Sequence, residues 1–267
     1  MNVTILGSGS RGNAVVLEAD GIRLLIDAGF NAKTLAARMA TADIAPESIS
    51  AVVLTHEHSD HVAGVCTAAR RWGWKIFGTD GTIRGTAGLS NLHPITIDVE
   101  LPLQLETMRV RCVRTPHDAG EPIAVVVEGI ACGSRLGIAY DLGHVPAGLT
   151  REFQQLDGLI LEANHDDEML RAGPYPVVVQ NRIASAHGHL NNRAAASLAR
   201  QVAHRGLRHV VLAHLSQHNN TAALARSTVD AAIRSTDFRG ALSVSRQDAV
   251  TSFTLQRGRR VEQLSLL

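Results

Sequence analysis

The stretch "AVVLTHEHSDH" (residues 51–61) runs from four apolar residues into three histidines and two carboxylates packed within seven positions. Histidines this close repel one another when charged, so the cluster makes chemical sense chiefly around a bound cation. "AVVL" reads as a buried strand. On its extended end, side chains at i and i+2 point the same way, so His56 and His58 can grip one ion from one side. The chain then turns into a helix beginning near Val62, and that reversal can aim Asp60 and His61 at a second ion beside the first.

Each ion needs further ligands from distant segments. Suitable donors follow predicted strands: His117 in "RTPHDAG", Asp141 in "IAYDLGH" and His214 in "VVLAHLS". Strand ends are the usual place for grafted chemistry. His117 completes the ion held by His56 and His58, His214 joins Asp60 and His61, and Asp141 bridges the two. A thiolate-free donor set suits Zn²⁺ or Mn²⁺, and two divalent ions ~3.5–4 Å apart can share a water and lower its pKa toward ~7. The expectation is a hydrolase with two divalent ions per chain and a bridging hydroxide as nucleophile. A structural zinc site more often contains cysteine. The isolated histidines His93, His144, His204, His209 and His218 are read as ordinary polar residues.

Upstream of the cluster, "NVTIL", "AVVLEA" and "IRLLIDAG" read as strands, the last two joined at Asp20-Gly21, a hairpin dipeptide. "GSGSRG" (7–12) fits the glycine pattern of a dinucleotide fingerprint, with Asp27 twenty residues past Gly7. That fingerprint requires a helix directly after the glycines. Here "NAVVLEADGIRLLIDAG" alternates as β-structure, so the stretch is read as a tight turn between strands. No organic cofactor is implied.

Downstream, "NAKTLAARMA" and "HVAGVCTAARRWG" read as helices, the second stopped by Gly73. The middle, "ELPLQLETMRVRCVRTPH", "IAVVVEG" and "RLGIAYDLG", is strand-rich. "LDGLILEAN" and "LRHVVLAHLS" then alternate as strands with the helices "NNRAAASLARQVAHRG" and "TAALARSTVDAAIRS", before two closing strands. Each half contributes strands and then helices. This predicts an α/β fold of two face-packed mixed sheets with helices on both outer faces, in a single domain over residues 1–267.

A chain of 267 residues with 45% hydrophobic content and a net charge of +1 has no global field drawing it onto a polyanion or a membrane. Its only lysines are Lys33 and Lys75, and the arginine excess is what a G+C-rich genome produces. Cys66, Cys112 and Cys132 are widely spaced, in apolar contexts, and are read as buried, reduced thiols of a cytoplasmic protein. Neither a signal segment nor a long apolar run is present, so no membrane contact is expected. A homo-oligomer remains compatible with the sequence.

"THEHSDH" resembles the "T-H-x-H-x-D-H" motif of the metallo-β-lactamase superfamily, which implies an αββα sandwich. Asp27 in "LLIDAG" matches the aspartate that supports the histidine loop in that superfamily. Zinc β-lactamases tend to carry cysteine where Asp141 stands, which disfavours antibiotic hydrolysis. "LGSGSRGNA", "LEANHDDEMLRAGPYP", "GHLNN" and "AHLSQHNNT" are together similar to the YycJ/WalJ subgroup, over nearly the whole chain. The subgroup implies a DNA exonuclease working 5′ to 3′ on duplex DNA, with links to mismatch repair and cell-wall signalling. The extra domain by which larger nucleases of the superfamily clamp nucleic acid is not expected.

In such an enzyme Asp60 orients the attacking hydroxide or takes its proton. His189, in a short loop ahead of a helix, contacts the phosphate or protonates the leaving oxygen. His165, after "GLILEAN", is a second candidate at the same rim, and His187, which departs from the subgroup by standing directly before "GHL", is read as a tolerated loop residue that could compete with His189. Arg182 or Arg193 and the N–H groups of the helix starting near Asn191 are candidate phosphate contacts. A small-molecule hydrolase (cyclic-phosphate diesterase, thioesterase or lactonase) uses the same seven ligands. A metal-binding regulator without turnover would not require all of them.

Overall fold

The computed structural model describes residues 1–256. In chain order it runs β1 (Asn2–Gly7), β2 (Ala14–Ala19), β3 (Ile22–Ile26), α1 (Ala32–Ala40), β4 (Ile49–Val53), α2 (Ser59–Val62), α3 (Val65–Trp72), β5 (Lys75–Gly78), α4 (Asp80–Gly85) and β6 (Ile95–Thr96). The second half continues with β7 (Leu103–Leu105), β8 (Met108–Arg114), β9 (Ile123–Gly129), β10 (Arg135–Ala139), α5 (Ala147–Glu152), β11 (Gly158–Glu162), α6 (Asp167–Ala172), α7 (Val177–Ile183) and α8 (Asn192–Val202). It closes with β12 (His209–Ala213), α9 (Ala222–Ile233), β13 (Ala241–Val244) and β14 (Thr251–Thr254).

The described residues form two seven-stranded sheets, ordered β14-β1-β2-β3-β4-β5-β6 and β13-β12-β11-β10-β9-β8-β7. The two closing strands part company: β13 pairs in parallel with β12, whereas β14 crosses to the first sheet and pairs antiparallel with β1. Alternate strand residues face opposite ways. Val3, Ile5, Leu17, Leu24 and Val53 therefore meet Val125, Val127, Ile138, Ile160 and Val211 in a core shared by both sheets. The intervening residues Leu6, Val16, Leu25 and Val52 pack against Leu35 and Met39 of α1 and Val65 and Ala68 of α3. On the second sheet, Leu159, Leu161 and Leu212 pack against Leu198 and Val202 of α8 and Val229 of α9. Burial on both faces explains why strands such as "GLILE" read as continuous apolar runs. The result is the αββα sandwich expected from the sequence.

Strands β3 to β6 are mutually parallel, as are β10 to β13. Their C-terminal ends therefore gather at one end of each sheet, the usual location of a ligand site in such sheets. β8 is antiparallel to β9, which is antiparallel to β10, so β8 also ends there.

Some details differ from the sequence expectations. "GSGSRG" connects β1 to β2, antiparallel neighbours, so the tight-turn reading holds. The helix read over 61–73 is broken into α2 and α3 at Gly64, where a β-carbon would lie 1.9 Å from the Phe30 carbonyl oxygen. Gly73 ends α3 in the left-handed region at φ 74°, as expected. Of the three free cysteines only Cys112 is buried, its thiol pushed up to about 12 by burial. Cys66 is half-buried, and Cys132 is exposed because it sits in the β9–β10 turn. Among the described residues no helix is long and apolar enough to cross a membrane. Residues 257–267 of the expected single domain lie outside the described residues.

Candidate metal centre

Five loops deliver the site, each from a strand end. Asp27 follows β3, the histidine loop follows β4, His117 follows β8, Asp141 follows β10 and His214 follows β12. Asp27, Asp141 and His214 all adopt left-handed backbone, at φ 59°, 52° and 53°. That conformation is uncommon outside glycine, though Asp and His tolerate it better than most. It turns each side chain sharply off the strand direction and toward the gap between the sheets.

His56, His58 and His117 present ligand atoms within 4.8 Å of one another, as do Asp60, His61 and His214. These are the two triads expected from the sequence. Asp141 lies between them: Oδ2 is 2.9 Å from His61 Nε2 and 3.7 Å from His56 Nε2, and Oδ1 is 3.9 Å from His117 Nε2 and 3.3 Å from His214 Nδ1.

The outward-facing nitrogens are already committed, which fixes the rings. His61 Nδ1 donates to Asp27 Oδ2 at 2.7 Å, and His117 Nδ1 donates to the Gly188 carbonyl at 2.9 Å. His214 Nδ1 lies 3.1 Å from Glu162 Oε1. His56 Nδ1 donates to Thr55 Oγ1 at 3.1 Å, and that hydroxyl donates to Asp27 Oδ2 at 2.8 Å. His58 is reversed, with Nε2 on the Asp118 carbonyl and Nδ1 facing His117. Such outer partners orient metal-binding imidazoles and raise their basicity.

The donor set fits divalent ions. His56 Nε2 is buried without a hydrogen-bond partner and faces the buried Asp141 Oδ2 at 3.7 Å. Their separation leaves each within a metal–ligand bond of ~2.0–2.2 Å of a shared point. Positive charge is favoured at His61 and His214, whereas burial holds His56 and His117 below their ordinary value. Burial opposes it at His61 and His214, yet Asp27, Asp141 and Asp60 raise the first to about 10, and Asp141, Asp60 and Glu162 raise the second to about 10. Asp141 is held well below the usual carboxylate range by His214 and His61 despite its burial. His56, buried beside other imidazoles, is pushed well below its ordinary value and stays neutral, the form a ligand needs.

The structure adds Glu162, which the sequence reading did not single out. It is fully buried at the end of β11. Oε2 accepts from the Leu142 and Leu190 N–H groups at 2.8 and 3.1 Å, and Oε1 meets both His189 and His214. His189 Nδ1 is 2.8 Å from Glu162 and 2.9 Å from Asp141, and His189 lines the cavity of about 230 Å³ that opens onto the cluster. Burial opposes charge on His189, but the two carboxylates hold it well above its ordinary value.

The other candidate residues lie outside the cavity lining or are held by protein partners. His165 is 1% exposed, does not line the cavity and has its pKa lowered by burial, because Asn164 takes the cavity-facing position on that extended stretch. His187 is exposed and also outside the lining. Arg193 lies on α8 away from the cavity, whereas Arg182 lines it but is forked onto Asp118 at 2.5 and 2.6 Å. The leading N–H groups of α8 are taken by protein partners: Asn192 by the His165 carbonyl and Ala194 by the Asn191 side chain.

An αββα sandwich with a three-histidine triad and an aspartate–two-histidine triad around a shared aspartate defines a hydrolase of the metallo-β-lactamase fold. Residues 22–215 match the family described as beta-lactamase superfamily domain, and the chain belongs to it. It is 30% identical over 242 residues to the exodeoxyribonuclease YycJ of Bacillus anthracis, covering 89% of this chain and 91% of that protein. It is likewise 30% identical over 232 residues to the exodeoxyribonuclease WalJ of Streptococcus pneumoniae, covering 85% and 86%. In fold it is similar to the metallo-beta-lactamase fold protein YhfI from Bacillus subtilis, with a TM-score of 0.72 at 20% identity over 94% of this chain and 99% of that one.

Proposed function

We propose that the chain is a two-metal phosphodiesterase acting on DNA as an exonuclease, in the 5′ to 3′ direction on duplex ends, in the cytoplasm. The observation that carries the reading is the Glu162–His189 pair beside Asp141, because it sets a proton-handling group next to the two triads without belonging to either. The likeness to YycJ and WalJ supports DNA as substrate.

His56, His58 and His117 would hold one ion and Asp60, His61 and His214 the other, with Asp141 common to both. Two divalent ions, Zn²⁺ or Mn²⁺, would supply positive charge beside a phosphoryl oxygen and lower the pKa of a nearby water. Asp60 Oδ2, 3.2 Å from His214 Nε2, is at the cavity and can take the proton of the attacking water. His189 has Nδ1 committed to Glu162 and Asp141, so Nε2 is the nitrogen left to donate to the leaving oxygen. Asp27 and Thr55 keep His61 and His56 in register throughout.

The test is to measure metal content and then offer 5′- and 3′-labelled duplex and single-stranded DNA, with and without chelator. Chelator-sensitive release of nucleotides from the 5′ end of duplex is expected. A metal-loaded protein that leaves DNA intact and cleaves cyclic phosphates, thioesters or lactones would replace this reading with the small-molecule one.

A further inference from the structure

One part of the cavity lining has no use in phosphodiester hydrolysis itself. Tyr175, Val179 and Ile183 line the same space as His58, Asp60 and His189. Val179 and Ile183, four residues apart, lie on one face of α7, and Tyr175 stands just ahead of the helix on the same cavity. A phenol and two branched aliphatic chains offer a broad apolar surface carrying a single polar atom, the phenol oxygen. Tyr175 is half-buried and meets His218 edge-on, with ring centroids 5.8 Å apart at 85°, a contact that orients its ring.

This wall is tied to the chemistry at the C-terminal end of α7. Arg182 forks onto Asp118, the neighbour of His117. The Ile183 carbonyl accepts the His189 N–H at 2.9 Å, and a β-carbon on Gly188 would lie 2.1 Å from that same oxygen. The loop carrying His189 is therefore seated directly on the C-terminal end of the wall.

A phosphodiester brought to the ion cluster carries a sugar and a flat, weakly polar base with it. From this juxtaposition, and resting on the phosphodiesterase reading above, we propose that Tyr175, Val179 and Ile183 form a platform for the nucleobase of the terminal nucleotide. The duplex end then enters with one nucleotide unpaired. With only the phenol hydroxyl able to read a base edge, the platform accepts any base, as stacking surfaces for single strands do.

Two measurements on the metal-loaded protein test this. Calorimetric binding of a deoxynucleoside 5′-monophosphate is compared with deoxyribose 5-phosphate, and cleavage of a natural DNA end is compared with one whose terminal nucleotide is abasic. The wild type should favour the base-bearing partner by roughly tenfold or more in both, the scale of base–aromatic stacking. Tyr175→Ala should erase the preference by weakening only the base-bearing partner, and Tyr175→Phe should keep it. Equal affinity for nucleotide and sugar phosphate, or a Tyr175→Ala loss shared equally by abasic and natural ends, overturns the platform. A retained nucleotide preference with no cleavage of any DNA would instead overturn the nuclease reading and leave the platform standing.

Discussion

Glu162 Oε1 lies 2.8 Å from His189 Nδ1, at the fully buried end of a strand whose other residues are apolar. Its second oxygen accepts two backbone N–H groups, from Leu142 and Leu190, the residues that follow Asp141 and His189. One carboxylate thus sets the position of both loops and the orientation of two imidazoles.

Glu162→Gln tests this arrangement, because an amide cannot accept on both sides. Its NH₂ must face either the imidazole Nδ1–H groups or the two backbone N–H groups. An outer partner of this kind typically contributes 10–100-fold in metal affinity or activity, and an unsatisfied buried donor costs about 1–3 kcal/mol. The expected result is a loss of that order in turnover together with a lower melting temperature. Wild-type turnover with unchanged ion content would show that Glu162 is only a packing element.

The histidine cluster was legible because its seven positions are contiguous and the strand before it is unbroken. His117, Asp141 and His214 were legible because each closes an apolar run. Glu162 closes such a run too, in "GLILE", but His165 three residues on drew the candidate role at that strand end instead. His165 is buried behind the lining, where Asn164 takes the cavity position next to it. Helices α4 to α7 went unread because they are only six or seven residues long, and α7 turns Val177 and Val178 to solvent at 68% and 79% exposure. No amphipathic stripe marks such a segment.

Acidity should act oppositely on the protein and on its ions. His61 and His214 are raised to about 10. A raised folded-state value adds stability that is complete below the free-histidine pKa of about 6.5 and is lost as pH climbs toward the folded value. Metal binding displaces those protons and strengthens over the same interval. Scanning calorimetry of chelator-treated protein should therefore show a melting temperature that falls between pH 6.5 and 9.5, while the rise on adding Mn²⁺ grows. A rise independent of pH would place the ion away from these histidines.

Gly29→Ala and Gly148→Ala should have opposite signs. A β-carbon on Gly29 falls 1.7 Å from the Asp60 carbonyl oxygen and 2.7 Å from the Asn13 nitrogen, so the ligand loop must move. Overpacking of this kind costs about 1–3 kcal/mol or more, and ion affinity should fall with it. Gly148 is exposed in α5, with its nearest contact at 3.9 Å, and alanine there should stabilise by about 0.4–1 kcal/mol. Urea denaturation of both variants checks the pair, and equal stability would mean that the Gly29 approach is relieved by backbone adjustment.

His189→Ala separates proton donation from metal binding. The residue lines the cavity and shares its Nδ1 between Glu162 and Asp141, and it belongs to neither of the two triads. Removing a transition-state proton donor typically costs ~10²–10⁴ in rate. The variant should lose that much turnover on DNA and keep both ions by metal analysis. On a nitrophenyl phosphodiester, whose leaving group needs no proton, the loss should shrink markedly. Equal losses on the two substrates would make His189 a phosphate-positioning group, and full activity on both would remove it from the chemistry.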